Sequence, residues 1–168
     1  MSQVLRAAGP RPPLRRRIAA RTAVAAARCL ARLRPRRLRA VLEFVRRGAV
    51  PAGFARTLRA RQDVTAVSTL CAGTYCLQRS LATALLCRMG GAWPTWCAGV
   101  RSAPFAAHAW VESGGRRVGE PAGTAGFRVL IAVPPPRRQR PRSTSRSRWA
   151  QAAASSVKRA VTSWWPRS

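Results

Sequence analysis

Acidic residues are scarce in this chain. Glu43, Asp63, Glu112 and Glu120 stand against 32 Lys+Arg, a net charge of +28 over 168 residues. Lysine is nearly missing too, with Lys158 alone, so the excess is arginine. An arginine excess beside abundant Ala, Gly and Pro is what a GC-rich coding sequence produces, so the charge alone does not assign a function. It predicts attraction to polyanions, whether nucleic acid, anionic lipid or an acidic peptide. A nucleic-acid-binding protein without catalysis is the reading that rests on charge. Zinc-finger and RNA-recognition signatures are absent, and the aromatics are few and clustered, so no specific nucleic acid is expected. Long apolar runs are also absent. Ile18 to Leu30, after Arg15-Arg16-Arg17, is interrupted by Arg21 and Arg28 and is too short to span a bilayer. It is Arg-rich and acid-poor like a transit peptide, but lacks the clean apolar core of a twin-arginine signal. The five cysteines, an odd number, lack the paired C-x₂-C spacing of structural zinc. With no secretory signal, a disulfide framework is not expected. Reduced thiols and a cytoplasmic location are.

What is present has an uneven texture. Residues 1–13, with Pro10, Pro12 and Pro13, form a loose arm. Residues 14–50 form a basic helical region. Leu14 to Leu33 makes one helix with Ile18, Thr22, Ala25 and Cys29 on a stripe. After Pro35 comes a second, with Leu38, Val41, Leu42 and Val45 at helical spacing and Gly48 as its stop. Residues 51–133 form the core. A short helix is expected in 54–70. A mostly buried helix begins near Cys76, with Leu77, Leu81, Leu85 and Met89 every four residues, and ends at Gly90-Gly91. Trp93 to Arg101 is a strand whose Pro94 puts its start at an edge. Ala106 to Glu112 and Arg116 to Glu120 form a hairpin around Ser113-Gly114-Gly115, and Phe127 to Val133 is a last strand. The fold class is α+β. Residues 134–168 are a Pro/Arg/Ser-rich tail expected to be disordered, in which 149–165 can form a helix against a membrane or a partner.

Histidine is as rare as aspartate. His108 is the only one, so imidazole-assisted thiol chemistry has a single candidate base. The nucleophile belongs where a thiolate is favoured, and the N-terminus of a helix, with free N–H groups and a positive dipole end, does this. Cys76 stands at such a start. Cys87 lies at the far end of the same helix, Cys97 in a strand and Cys29 in a basic helix; Cys71 is the nearest competitor. A three-residue loop at 113–115 would pair His108 with Glu120, Cβ atoms about 5 Å apart, so that the carboxylate fixes the imidazole tautomer. A two-residue Gly114-Gly115 turn would shift the register by one and spoil that pairing. Glu112 shares the face but lies about 13 Å along the strand. Asp63 stays open as an alternative acid. Singly, a cysteine at a helix start and a histidine in a strand are ordinary structural residues. Their order together, with an acid opposite, is what points to catalysis.

Three stretches carry a resemblance. Cys71-Ala-Gly-Thr-Tyr-Cys76-Leu-Gln-Arg-Ser80-Leu-Ala, Trp93-Pro-Thr-Trp-Cys-Ala-Gly-Val100 and Pro104-Phe-Ala-Ala-His108-Ala-Trp-Val-Glu112 resemble the stand-alone, transglutaminase-like leader peptidase of lasso-peptide biosynthesis, of the microcin-processing family. The resemblance covers about residues 36–133 and is specific over 71–121. It implies a transglutaminase/papain-like core and a Cys-His-acid triad of Cys76, His108 and Glu120, with Glu where the family template has Asp. It implies cleavage of a leader from a ribosomally made precursor, delivered by a separate leader-recognition protein, before an asparagine-synthetase-like cyclase closes the ring. No metal or organic cofactor is implied. A transglutaminase-like acyltransferase using the same triad is the alternative.

Overall fold

The structure is a computed structural model. It describes residues 12–136 apart from 74 and 125. The expectations for most of the N-terminal arm and for residues 137–168, including a helix at 149–165, lie outside the described residues.

Five helices and six strands are described, together with a 3₁₀ turn at Ala122–Thr124. Helix α1 is Leu14–Leu30, α2 Pro35–Val45, α3 Phe54–Val67, α4 Thr69–Ala72 and α5 Cys76–Met89. Strand β1 is Val50–Pro51, β2 Ala92–Trp93, β3 Thr95–Arg101, β4 Ala106–Ser113, β5 Arg116–Arg117 and β6 Arg128–Val133. The main sheet runs β5-β4-β3-β6, antiparallel throughout, and β1 pairs in parallel with β2 in a small second sheet. The α+β class is that of the sequence reading.

Helix α5 occupies the centre. Ser80, Leu81, Ala82, Thr83, Ala84 and Cys87 are all buried, so it is enclosed on most sides. Its buried hydroxyls are satisfied locally, Thr83 donating to the Arg79 carbonyl at 2.8 Å and Ser80 to that of Leu77 at 3.0 Å. Ser80 Oγ also accepts from the indole N–H of Trp96 at 3.1 Å, which ties α5 to β3. Trp96, Ala109 and Val111 line the face of the sheet that shares a core with Leu81 and Ala84.

Several local expectations need correction. The buried stripe of α1 is Ala20, Ala23, Val24 and Ala27, while Ile18 is exposed along with Cys29. Both stripes have helical spacing. The alanine one wins because small side chains let α1 lie close against α3 and α5. The region 14–50 therefore contributes Val24, Ala27, Leu38 and Leu42 to the same core as α5 and the sheet. Pro94 does not open an edge strand: it separates β2 from β3, and β3 is central, flanked by β4 and β6. The helix expected in 54–70 is two, parted at Ser68, whose extended backbone ends α3 and whose hydroxyl caps α4 by accepting from the Cys71 N–H.

The hairpin correction matters most. Glu112 pairs with Arg117 and Ser113 with Arg116, so the turn is the two-residue Gly114-Gly115 form. Both glycines have positive φ, 57° and 76°, as a primed hairpin turn demands. The register is thus one residue away from that expected for a three-residue loop. Continued, it would set Glu120 opposite Ala109 rather than His108. The ladder does not continue. After a last bond from the Val118 N–H to the Val111 carbonyl, the chain bends at Gly119, φ +67°.

Candidate active site

Cys76 is the first residue of α5, half-buried. The loop before it is held by Arg79, one turn along, whose guanidinium donates to the carbonyls of Gly73 at 2.9 Å and Cys71 at 3.3 Å. Arg79 thereby folds the chain entering α5 back onto its own first turn.

His108 lies in β4, opposite Gly99 of β3. It shares a face with Trp110, the two rings stacked 5.9 Å apart, and Phe127 covers it from the segment leading into β6 at 5.2 Å. Gly99 is required here. A β-bulge between β3 and β6 brings the Arg128 carbonyl oxygen to 2.1 Å from where a Cβ would stand, and Trp110 to 3.0 Å. The imidazole therefore sits in a fixed slot of its strand.

Glu120 reaches this imidazole despite the shifted register. Its Oε2 is 2.7 Å from His108 Nε2, and the carboxylate is almost fully buried at 3% exposure. The bend at Gly119 brings the side chain round to His108. With Nε2 engaged, Nδ1 is the nitrogen left for Cys76, and the thiol and imidazole are hydrogen-bonded to one another.

A further donor to Cys76 comes from the strand edge. Val111 directs its carbonyl towards β5, so Ala109, two residues back, directs its own backbone N–H to the same edge. Because β5 has only two residues, that edge is open at Ala109, and its N–H hydrogen-bonds the Cys76 sulfur.

The charges follow. The hydrogen bond from His108 holds the Cys76 thiol below its ordinary range. Burial opposes this, but the Ala109 N–H and the charges of His108 and Arg79 add to the lowering. The hydrogen bonds to Cys76 and then to Glu120 raise His108 to about 9 against the pull of burial. Burial disfavours ionised Glu120, yet the His108 hydrogen bond and the Arg61, His108 and Arg79 charges outweigh it and keep the carboxyl below its usual value. The arrangement favours a thiolate beside an imidazolium. The other thiols differ: burial pushes Cys87 to about 11 and Cys97 to about 12. Cys71 is buried and Cys29 exposed, far along α1.

The other acids are engaged elsewhere. Asp63 on α3 is clasped by Arg16 of α1 through contacts of 2.7, 2.8 and 3.0 Å. Glu112 accepts from the Trp110 indole at 2.7 Å, and Glu43 pairs with Arg39 within α2. Among the described residues, no three His, Cys, Asp or Glu side chains cluster as a metal-ligand set.

The family model described as the transglutaminase-like superfamily matches residues 20–132. The chain belongs to this superfamily. No curated protein and no solved structure matches it. A transglutaminase-like domain is compatible with either cysteine-protease or acyltransferase activity. The match begins within α1 and ends in β6, so it takes in α5, β4 and the bend after β5, which carry Cys76, His108 and Glu120.

Sequence reasoning missed Arg61, Arg79, Phe127 and the Ala109 N–H. Arg79 carried a signal, three residues after Cys76 on the same helix face. Arg61 carried none, because it meets Glu120 across 59 residues of chain.

Proposed function

We propose that this protein is a cysteine peptidase that removes the leader from a ribosomally made lasso-peptide precursor. It works with a separate leader-recognition protein, and an asparagine-synthetase-like cyclase then acts on the released core peptide. The observation that supports thiol catalysis is the alignment of Cys76, His108 and Glu120 from α5, β4 and the bend after β5. The three motif stretches within 71–112 support the lasso-peptide substrate. No helix among the described residues is long and apolar enough to cross a membrane, and all five cysteines are free thiols, which suits action in the cytoplasm.

In this scheme the Cys76 thiolate attacks the carbonyl at the leader–core junction. The negative oxygen that forms lies near the start of α5, where the Cys76 N–H has no partner within the helix and is free to donate. The His108 imidazolium gives its proton to the departing core amine, and the leader remains on Cys76 as a thioester. Water, deprotonated by the now neutral imidazole, releases it. Glu120 keeps the imidazole in one tautomer and stabilises its charged form throughout.

Superfamily membership favours one competitor, an acyltransferase that resolves the same thioester with an amine. The test is to mix precursor with this protein, with and without the recognition protein, and resolve the products by mass spectrometry. Free leader and core peptide are expected, formed slowly by this chain alone and fast with the partner. An excess of primary amine should leave the leader as the free acid. Leader carrying the amine would establish acyl transfer instead, and an uncut precursor would remove the peptidase reading.

A further inference from the structure

Glu120 is not held in place by the sheet. The β4–β5 ladder stops at the Glu112–Arg117 pair, with one more bond from Val118, and the residues that follow leave the strand. A glutamate beyond a bend has three rotatable side-chain bonds and many ways to point away from His108. Something else must aim it.

Arg61, from α3, is in position to do so. Its Nη2 lies 3.3 Å from Glu120 Oε1, while His108 takes Oε2 at 2.7 Å, so the two partners grip opposite oxygens of one carboxylate. The pair is sheltered, with 15% of the Arg61 side chain and 3% of that of Glu120 exposed. The guanidinium also lies against the bend itself. A Cβ on Gly119 would stand 3.0 Å from Arg61 Cδ and 3.1 Å from Nη1. Glycine at 119 thus serves both the positive φ and the close passage of Arg61. Helix α3 is braced in turn, since Asp63, two residues on, is clasped by Arg16 of α1.

We propose that Arg61 is a positioning residue: by fixing one oxygen of Glu120 it presents the other to His108 and so orients the imidazole towards Cys76. This rests on the thiol-catalysis reading above. A planar, permanently charged guanidinium suits the task, because it holds a carboxylate both ionised and oriented. The ionisable groups acting on His108 and Glu120 are Cys76 and Arg79 from α5 and Arg61 from α3. A role for Arg61 as a charge alone would have the opposite signature from positioning. Removing a cation near an imidazolium raises the imidazole pKa, whereas releasing Glu120 from His108 lowers it.

The experiment compares wild type, Arg61→Ala, Arg61→Lys, Glu120→Gln and the Arg61→Ala/Glu120→Gln pair as full-length chains in a Cys29→Ala background. Two readouts are taken: kcat and kcat/KM against pH on partner-delivered precursor, and the pH midpoint of Cys76 alkylation by iodoacetamide, which needs no substrate. Arg61→Ala should lower kcat about 10²-fold, the loss that slight misplacement of a reacting group produces. Its alkaline limb should move down from about 9 and its alkylation midpoint up towards 9.0. The loss should vanish in the Glu120→Gln background, since both changes remove one interaction. Arg61→Lys keeps the charge without the planar fork and should retain the fold, with an intermediate loss and the same direction of shift. An alkaline limb that stays or rises in the two Arg61 variants, or losses that add in the double variant, would overturn the proposal. Those outcomes leave thiol catalysis standing if wild-type Cys76 alkylates with a midpoint below 9.0. A wild-type midpoint at 9.0 would instead remove the catalytic reading, and the role of Arg61 with it.

Discussion

At Cys76 four influences favour the thiolate together: a helix N-terminus, an imidazole, the N–H of Ala109 and the charge of Arg79. Cys87 and Cys97 are buried, which favours the neutral thiol, and the Glu112 charge adds to this at Cys97. Iodoacetamide at neutral pH should therefore label Cys76 in a Cys29→Ala protein and spare Cys71, Cys87 and Cys97, as peptide mapping would show. Labelling of Cys97 as fast as Cys76 would contradict the assignment. Catalysis should follow the same pattern. Cys76→Ala and Cys76→Ser should abolish leader cleavage, whereas Cys87→Ala and Cys97→Ala should lose activity only as far as they lose stability. His108→Ala should cost as much as losing the nucleophile, because the chain holds no second imidazole. Glu120→Gln should cost less, since glutamine still accepts a hydrogen bond but cannot stabilise the imidazolium. The pH dependence has a definite sign. His108 is raised from 6.5 to about 9, so the stability it lends is complete below its unfolded value and is lost as pH rises through about 9. Cys76 and Glu120 are lowered, so their contributions are present at higher pH and are lost as pH falls through their lowered folded values. Activity should fall above about 9 in wild type and at lower pH in Glu120→Gln. Asp63→Asn distinguishes the two acids. It breaks the clasp with Arg16 and should cost about 1 kcal/mol of stability, with a smaller loss of kcat than Glu120→Gln.

The elements show how much of this was legible in the sequence, and why the remainder was not. Helix α5 could be read because Leu77, Leu81 and Leu85 repeat on one side and Gly90 ends it, so the placement of Cys76 followed from local pattern alone. The extents of α2 and β4 followed in the same way. The buried face of α1 did not, because an alanine stripe has little apolar signal of its own and acquires meaning only from the helices packed on it. The shortness of β5 was hidden for another reason. Arg116 to Glu120 follows the hairpin turn directly and reads as its second strand, and nothing local marks the bend at Gly119, against which Arg61 packs from a distant helix. The register of a three-residue loop is therefore off by one residue, while Glu120 still lies beside His108, brought there by tertiary contacts. Gly99 offers a test at this scale. Gly99→Ala would drive a methyl group into the Arg128 carbonyl and force β6 away from β3 beside His108. It should lower Tm and remove cleavage, whereas Ala98→Gly, next to it, should cost only about 1 kcal/mol. A Gly99→Ala protein with wild-type Tm and activity would show that β6 is not needed to frame the histidine.

For the whole molecule, the net charge of +28 says little about the reaction, since the chemistry rests on Cys76, His108 and Glu120 and not on the arginine excess. The compact unit that carries the site ends at Pro136. Deleting residues 137–168 should therefore keep kcat/KM on partner-delivered precursor within a few-fold of wild type. A truncated protein that folds yet no longer processes precursor would place the tail in the active machinery. In the proposed reaction Cys76 carries the leader as a thioester while His108, oriented by Glu120, moves the proton. The most direct measurement is acid-quenched intact-mass analysis of the protein during turnover of precursor with its recognition partner. The account predicts a transient species heavier than the free protein by the acylating leader, mapped to Cys76, with the core peptide already released, and no such species in Cys76→Ala. A folded Cys76→Ala protein that cleaves the precursor at the wild-type rate, with no adduct in either protein, would contradict it.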